Sequence, residues 1–193
     1  MKGVVLSGGQ SSRMGTDKGL MIHNDQYWAE IALNKLAGLG IPSGVSVSAS
    51  QKSAYGVLPA YTVLYTDQSV LDVHGPLLGV LSAHVCFPEE DLFILACDLL
   101  LISHEELEQL YQVYREKPQY EAFIFTKKDE PEPLCGVYTS KGLKKIKTLL
   151  DEGGLIRHSM KFVLSRLAVY KIPLTAENQL HFKNFNDPSA LAG

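Results

Sequence analysis

The sequence predicts an α/β fold in three layers, a mostly parallel sheet with helices on both faces. Three observations predict it. Apolar runs of strand length alternate with segments of helical period along the chain. The strongest run, Leu92 to Cys97, contains no polar residue, as a strand covered on both faces requires. A loop rich in glycine and serine follows the first run directly, where open α/β sheets place their ligands. No repeat or linker divides the chain, so residues 1–193 are expected to form one domain.

Gly3-Val4-Val5-Leu6 reads as a short buried strand, and residues 8–15 as the loop after it. Tyr27 to Leu39 carries Trp28, Ile31, Ala32, Lys35, Leu36 and Leu39 at helical spacing, and Gly40-Ile41-Pro42 ends that helix. Val45 to Ser48 and Thr62 to Tyr65 read as strands. Leu77 to Val85 reads as a helix entered through Gly75-Pro76, since proline suits a first helical turn. Leu92 to Ala96 is the central strand. Ser103 and Glu106 have the spacing of a capping box, which starts a helix running to about Arg115. Ala122 to Thr126 and Leu134 to Tyr138 read as strands. Ser140 reads as the cap of a helix to Leu150, stopped by Gly153-Gly154. A helix over Arg157 to Leu164 then leads to a strand at Leu167 to Ile172. Trp28 and the Tyr and Phe residues at these spacings read as core.

Composition excludes several classes of protein. With 46% hydrophobic and 20% charged residues in 193, the chain can bury a core without disulfide or metal support. A net charge of −3 argues against a nucleic-acid binder, which needs clustered positive surface. The balance is uneven, however: seven basic residues face two acids between Lys141 and Arg166. That stretch is a candidate surface for an anionic ligand, or else a solvated helix face. Cys86, Cys97 and Cys135 have no Cys-x-x-Cys or zinc-like spacing, so free buried thiols are expected. Met1-Lys2-Gly3 leads quickly to Ser7 without a signal-like apolar region, and the longest apolar run is too short for a membrane span. A cytoplasmic protein with no membrane partner is expected.

Residues 6–18 read Leu-Ser-Gly-Gly-Gln-Ser-Ser-Arg-Met-Gly-Thr-Asp-Lys. Glycines let backbone N–H groups come close to an anion, and Arg13 and Lys18 supply the charge that a triphosphate requires. Two common templates fail. A Walker loop counted from Gly9 finds Met14 where its second glycine belongs, and Gly8-Gly9-Gln10 does not open a Gly-x-Gly-x-x-Gly fingerprint.

The span Leu6-Ser7-Gly8-Gly9-x-Ser11-x-Arg13-Met14-Gly15-x-Asp17-Lys18 resembles the signature loop of the molybdenum cofactor guanylyltransferases (MobA), within the nucleotidyltransferase superfamily. Gly75-Pro76-Leu77-x-Gly79, Cys97-Asp98 and Asn184-x-Asn186-x-Pro188 match in order, so the resemblance spans almost the whole chain. It implies a Rossmann-like domain similar to nucleotide-diphospho-sugar transferases. It also implies transfer of GMP from GTP to molybdopterin, Mg²⁺ as cofactor, and transient contact with molybdopterin-handling or molybdoenzyme proteins. Two departures stand out. The family's Cys-Asp-x-Pro is Cys97-Asp98-Leu99-Leu100 here, and Ser48 occupies the place of an asparagine that contacts nucleotide.

On this reading the catalytic residues are Arg13, Lys18 and Asp98, with Asp98 the metal ligand at a strand's carboxyl end. The nucleotide and pterin side is assigned to Leu6, Ser7, Gly8, Gly9, Lys18, Ser48, Asp67, Gly75, Gly79, Asn184 and Asn186. Asp67 could bind guanine or ribose, or serve as a turn residue. His74 beside Gly75 reads as an ordinary loop histidine. Rival readings are cytidylyl transfer to the same pterin, nucleotidyl transfer to a sugar phosphate, and a non-catalytic nucleotide-binding adaptor.

Overall fold

The structure, a computed structural model, describes residues 1–7 and 17–185. Within them the elements run β1 (Lys2–Leu6), β2 (Ile22–His23), β3 (Gln26–Tyr27), α1 (Trp28–Gly38), β4 (Ser43–Val47), β5 (Val63–Thr66) and α2 (Pro76–Cys86). They continue with β6 (Leu92–Ala96), α3 (His104–Glu116), β7 (Ala122–Lys127), β8 (Glu130–Tyr138), α4 (Ser140–Asp151), α5 (Met160–Leu164) and β9 (Val169–Pro173).

Among the described residues, seven strands form one sheet in the order β5-β4-β1-β6-β8-β7-β9, and β2 and β3 pair separately. β5, β4, β1 and β6 run parallel, as do β7 and β9. β8 is antiparallel to both its neighbours. Its direction follows from the two-residue link to β7, where Lys128 and Asp129 both take positive φ (49° and 67°). That is the dihedral pattern of a tight hairpin, which can only join antiparallel strands. Asn24 and Asp25 (φ 49° and 60°) turn the β2–β3 hairpin in the same way. Neither link has a glycine, and the β2–β3 hairpin was not anticipated from sequence.

Strand residues alternate between two cores. Phe93 and Leu95 of β6, with Phe123 and Phe125 of β7, pack among Trp28, Ala32 and Leu36 of α1 and Leu107 and Leu110 of α3. Leu92, Ile94, Ala122 and Ile124 pack on the other face with Leu77, Val80 and Leu81 of α2 and Leu143 and Ile146 of α4. Each fully buried Leu, Ile or Phe stabilises the fold by about 1.5–3 kcal/mol.

The capping box is present: Glu106 N–H donates to Ser103 Oγ at 3.3 Å and Ser103 N–H to Glu106 Oε2 at 2.8 Å. Three boundaries differ from expectation. Thr139, not Ser140, caps α4, its Oγ1 accepting from Gly142 N–H at 3.1 Å. α5 starts only at Met160, where Ser159 Oγ takes Phe162 N–H. β8 begins at Glu130 because the hairpin extends the ladder through Pro131 and Glu132. Among the described residues no helix is long and apolar enough to cross a membrane.

Burial pushes the Cys97 and Cys135 thiols and the Tyr55 and Tyr138 phenols well above their usual ranges. A raised acid pKa adds stability that is complete below the unfolded value and is lost as pH rises. Lys35 opposes this, its pKa being lowered by burial to about 8. Four such groups outweigh one, so the urea midpoint should hold steady near neutrality and fall progressively above about pH 9, the ordinary thiol value. A midpoint that climbed steadily from neutrality to about pH 10.5 would show Lys35 dominating and refute the balance.

Candidate functional site

Four parallel strands end side by side. Leu6 is in register with Ala96 on one side and Ser46 on the other, and Val47 with Thr66. The residues that follow these strands, among them Ser7, Ser48, Asp67 and Asp98, therefore share one edge of the sheet. The chain fills β1, β4 and β5 towards one side and then crosses to β6 on the other. The crevice at the β1–β6 boundary is thus the topological switch point, where such sheets bind ligands. Cys97 N–H donates to Leu6 O at 3.1 Å and holds the two strand exits together.

At that crevice Lys18 Nζ lies 2.8 Å from Asp98 Oδ2, with side chains 24% and 17% exposed. Lys18 is aimed by the residue before it. Asp17 Oδ1 accepts from Gly19 N–H at 3.0 Å and from the Tyr55 hydroxyl at 2.7 Å, and Oδ2 accepts from Gln51 Nε2 at 2.7 Å. Burial, with the hydrogen bond to Asp17 adding to it, raises the Tyr55 pKa, so this hydroxyl stays a donor. Gln51 is held in turn, its Oε1 accepting from Ser48 N–H at 2.9 Å. Ser48 thus takes part in the support of Asp17, and its Oγ also lies 3.0 Å from Ser50 Oγ. Gly19 is required by space: a Cβ there would meet Tyr55 Oη at 2.2 Å and Ser7 Cβ at 2.7 Å.

The other predicted residues divide by role. Leu6 packs in the α2-side core, and Ser7 is buried with its hydroxyl donating to Ser46 O at 3.0 Å. Asp67 accepts from Ser46 Oγ at 3.0 Å; burial raises its pKa while that hydrogen bond works the other way. Gly75 (φ 68°) precedes α2, with Pro76 at the first turn and open space where a Cβ would stand. Gly79 is buried and lets α2 approach the sheet, since a Cβ would lie 2.5 Å from Ser46 Oγ and 2.9 Å from Leu6 Cδ2. Asn184 is exposed beside Phe185, whose N–H donates to Asp98 O at 3.2 Å. Gly8, Gly9, Arg13 and Asn186 lie outside the described residues.

Sequence reasoning missed Tyr55, Gln51, Ser46 and Gly19, because nothing local marks a partner 38 residues from Asp17. The basic stretch is largely neutralised. Lys144, Lys145 and Lys147 pair with Glu89, Glu121 and Asp151 at 2.7, 3.3 and 2.6 Å, and Lys161 pairs with Glu130. His74 Nδ1 meets His158 Nδ1 at 2.8 Å, on the exposed side of the Gly75 turn.

Among the described residues no group of three or more His, Cys, Asp or Glu side chains could cage a metal ion. Asp98, directly beyond β6 and paired with Lys18, offers a partly exposed carboxylate at the crevice. That donor set fits Mg²⁺, which commonly takes one or two carboxylates and completes its shell with phosphate and water.

A family model for the MobA-like NTP transferase domain matches residues 3–168. A protein of Methanothermobacter thermautotrophicus named "probable molybdenum cofactor guanylyltransferase" is 31% identical, over 97% of this chain and 95% of its own. The structure of molybdopterin-guanine dinucleotide biosynthesis protein A from Archaeoglobus fulgidus superposes with a TM-score of 0.77 at 23% identity, covering 100% of this chain and 95% of that one. A Bacillus anthracis chain described as a glucose-1-phosphate thymidylyltransferase shares the fold, with a TM-score of 0.68 at 14% identity over 90% and 87% of the two chains.

Two substitutions test the support of Lys18. Tyr55→Phe should lower stability by about 1 kcal/mol, the worth of a hydrogen bond. Gly19→Ala should cost about 1–3 kcal/mol as an overpacked site. Urea midpoints equal to that of the wild type would remove Asp17 from its role as the hub.

Proposed function

The chain belongs to the MobA-like NTP transferase family, and on that premise we propose that it transfers GMP from GTP to molybdopterin and releases pyrophosphate. The observation that carries this reading is the Lys18–Asp98 pair at the switch-point crevice, 2.8 Å apart at the ends of elements separated by 80 residues.

The reaction joins an oxygen of the molybdopterin phosphate to the α-phosphorus of GTP and breaks the bond from that phosphorus to the bridging oxygen. The attacking phosphate is largely a dianion near neutrality, since its second pKa is about 6. It needs no base to remove a proton. The thiols near the site suit that scheme: burial keeps Cys97 and Cys135 protonated, so neither competes as a nucleophile. Catalysis then rests on positioning and on charge stabilisation. Lys18 neutralises phosphate oxygen, and Arg13 and the Gly8-Gly9 amides do the same from the loop. Asp98 would hold Mg²⁺, which when bound screens the phosphoryl oxygens and the departing pyrophosphate. Asp67 and Ser48, which follow strands on the same edge, are assigned to the nucleoside, and Asn184 and Asn186 to the metal or pterin side.

Pyrophosphate release measured from each of four nucleoside triphosphates, with molybdopterin and Mg²⁺ present, tests the proposal. GTP should support release and the others little. A preference for CTP would reassign the base, and nucleotide binding without release from any of the four would mark an adaptor. Lys18→Ala and Asp98→Asn should each lower kcat by orders of magnitude, about 3–4 kcal/mol in transition-state free energy, without unfolding the protein. Near-normal turnover in either variant removes that residue from catalysis.

A further inference from the structure

Asp98 is followed by a turn that belongs to neither β6 nor α3, and this turn is tied down from three directions. Phe185 N–H donates to Asp98 O at 3.2 Å. Glu106 holds Ser103 N–H with Oε2 and meets His181 Nδ1 with Oε1 at 2.9 Å, so the segment leading to Phe185 is fixed to the start of α3. The third tie comes from α1. Lys35 Nζ donates to Leu100 O at 2.6 Å, with a longer contact of 3.5 Å to Leu99 O.

Lys35 is an unusual group to spend on such a contact. Its helix turns Trp28, Ala29, Ala32 and Leu36 into the core, and Lys35, the neighbour of Leu36, is itself half-buried. Burial lowers its pKa to about 8, with Cys135 on β8 and Glu106 on α3 pulling the other way. Desolvating an ammonium is costly, and two carbonyls outside any helix or strand compensate for it.

We propose that Lys35 is the positioning residue of the Asp98 turn: by holding the carbonyls of Leu99 and Leu100 it fixes the direction of the Asp98 carboxylate towards Lys18 and the nucleotide. The catalytic half of this proposal rests on the function proposed above. The positioning half rests on geometry alone.

The test compares Lys35→Met, Lys35→Gln and Lys35→Arg with the wild-type protein. In Lys35→Met, kcat for pyrophosphate release from GTP should fall by about tenfold or more, with KM for GTP changed less than about threefold. Lys35→Arg, which keeps the charge and the donors, should recover most of the loss. In nucleotide-free protein, amide hydrogen exchange of residues 97–103 should quicken in Lys35→Met while α1 and β6 stay protected. Unchanged kcat together with unchanged exchange over 97–103 overturns the proposal. So does a loss of protection throughout the molecule matched to the loss of kcat, since that is structural damage. If Lys35→Met does not fold, Lys35→Gln is read by the same two criteria. If wild-type protein releases no pyrophosphate from any nucleotide, the proposed function fails, and the exchange measurement alone decides whether Lys35 holds the turn.

Discussion

The hydrogen bond from Cys97 N–H to Leu6 O extends the β1–β6 ladder by one step past the sheet, and the Lys18–Asp98 pair closes directly beyond it. Both depend on strands that are 90 residues apart in sequence, Lys2 facing Leu92 and Leu6 facing Ala96, being neighbours in parallel register. A slip of one residue would turn the strand faces over and carry Asp98 away from the crevice. The alternation of Phe93 and Leu95 against Leu92 and Ile94 resists such a slip, because it would bury each in the wrong layer. The site's charge geometry is therefore held by the packing of a strand that takes no part in chemistry.

Each member of the ion pair has its own support. On the Lys18 side, one carboxylate, Asp17, gathers a backbone N–H, a phenol and a side-chain amide. On the Asp98 side the support is applied to backbone carbonyls, from Phe185 and Lys35, while Glu106 secures the elements that carry them. Polar groups satisfied in this way rigidify a site more than their summed energies suggest. A reaction that depends on placing two phosphates in line benefits from such rigidity more than from an added reactive side chain.

Charge is distributed to the same end. The segment from Lys141 to Arg166 is strongly basic in sequence, yet three of its seven cations pair with acids from elsewhere in the fold, Glu89, Glu121 and Glu130, and a fourth, Lys147, pairs with Asp151 within the segment. Exposed pairs of this kind contribute little stability, but they remove the field that the bare sequence implies. The proposed anion-binding role consequently falls on the edge of the sheet, at Lys18.

The sequence by itself determined the alternation of strands and helices, the two-faced burial of Leu92 to Ala96 and the Ser103 capping box, and it singled out Lys18 and Asp98 as separate candidates without showing that they meet. These are local properties: period, cap spacing and the position of a charge at the end of an apolar run. Only the tertiary structure decided that β8 is antiparallel, since that turns on positive φ at Lys128 and Asp129 without a glycine to announce it. Only it brought Tyr55 to Asp17 and Lys35 to Leu100, contacts across 38 and 65 residues that leave no periodic trace. It also gave Gly75 and Gly79 different reasons for being glycine, the one a backbone angle and the other a close approach to Ser46. Local pattern fixes which face of an element is buried. Which distant side chain completes a buried polar group depends on how the elements pack, and one chain read alone does not carry that information.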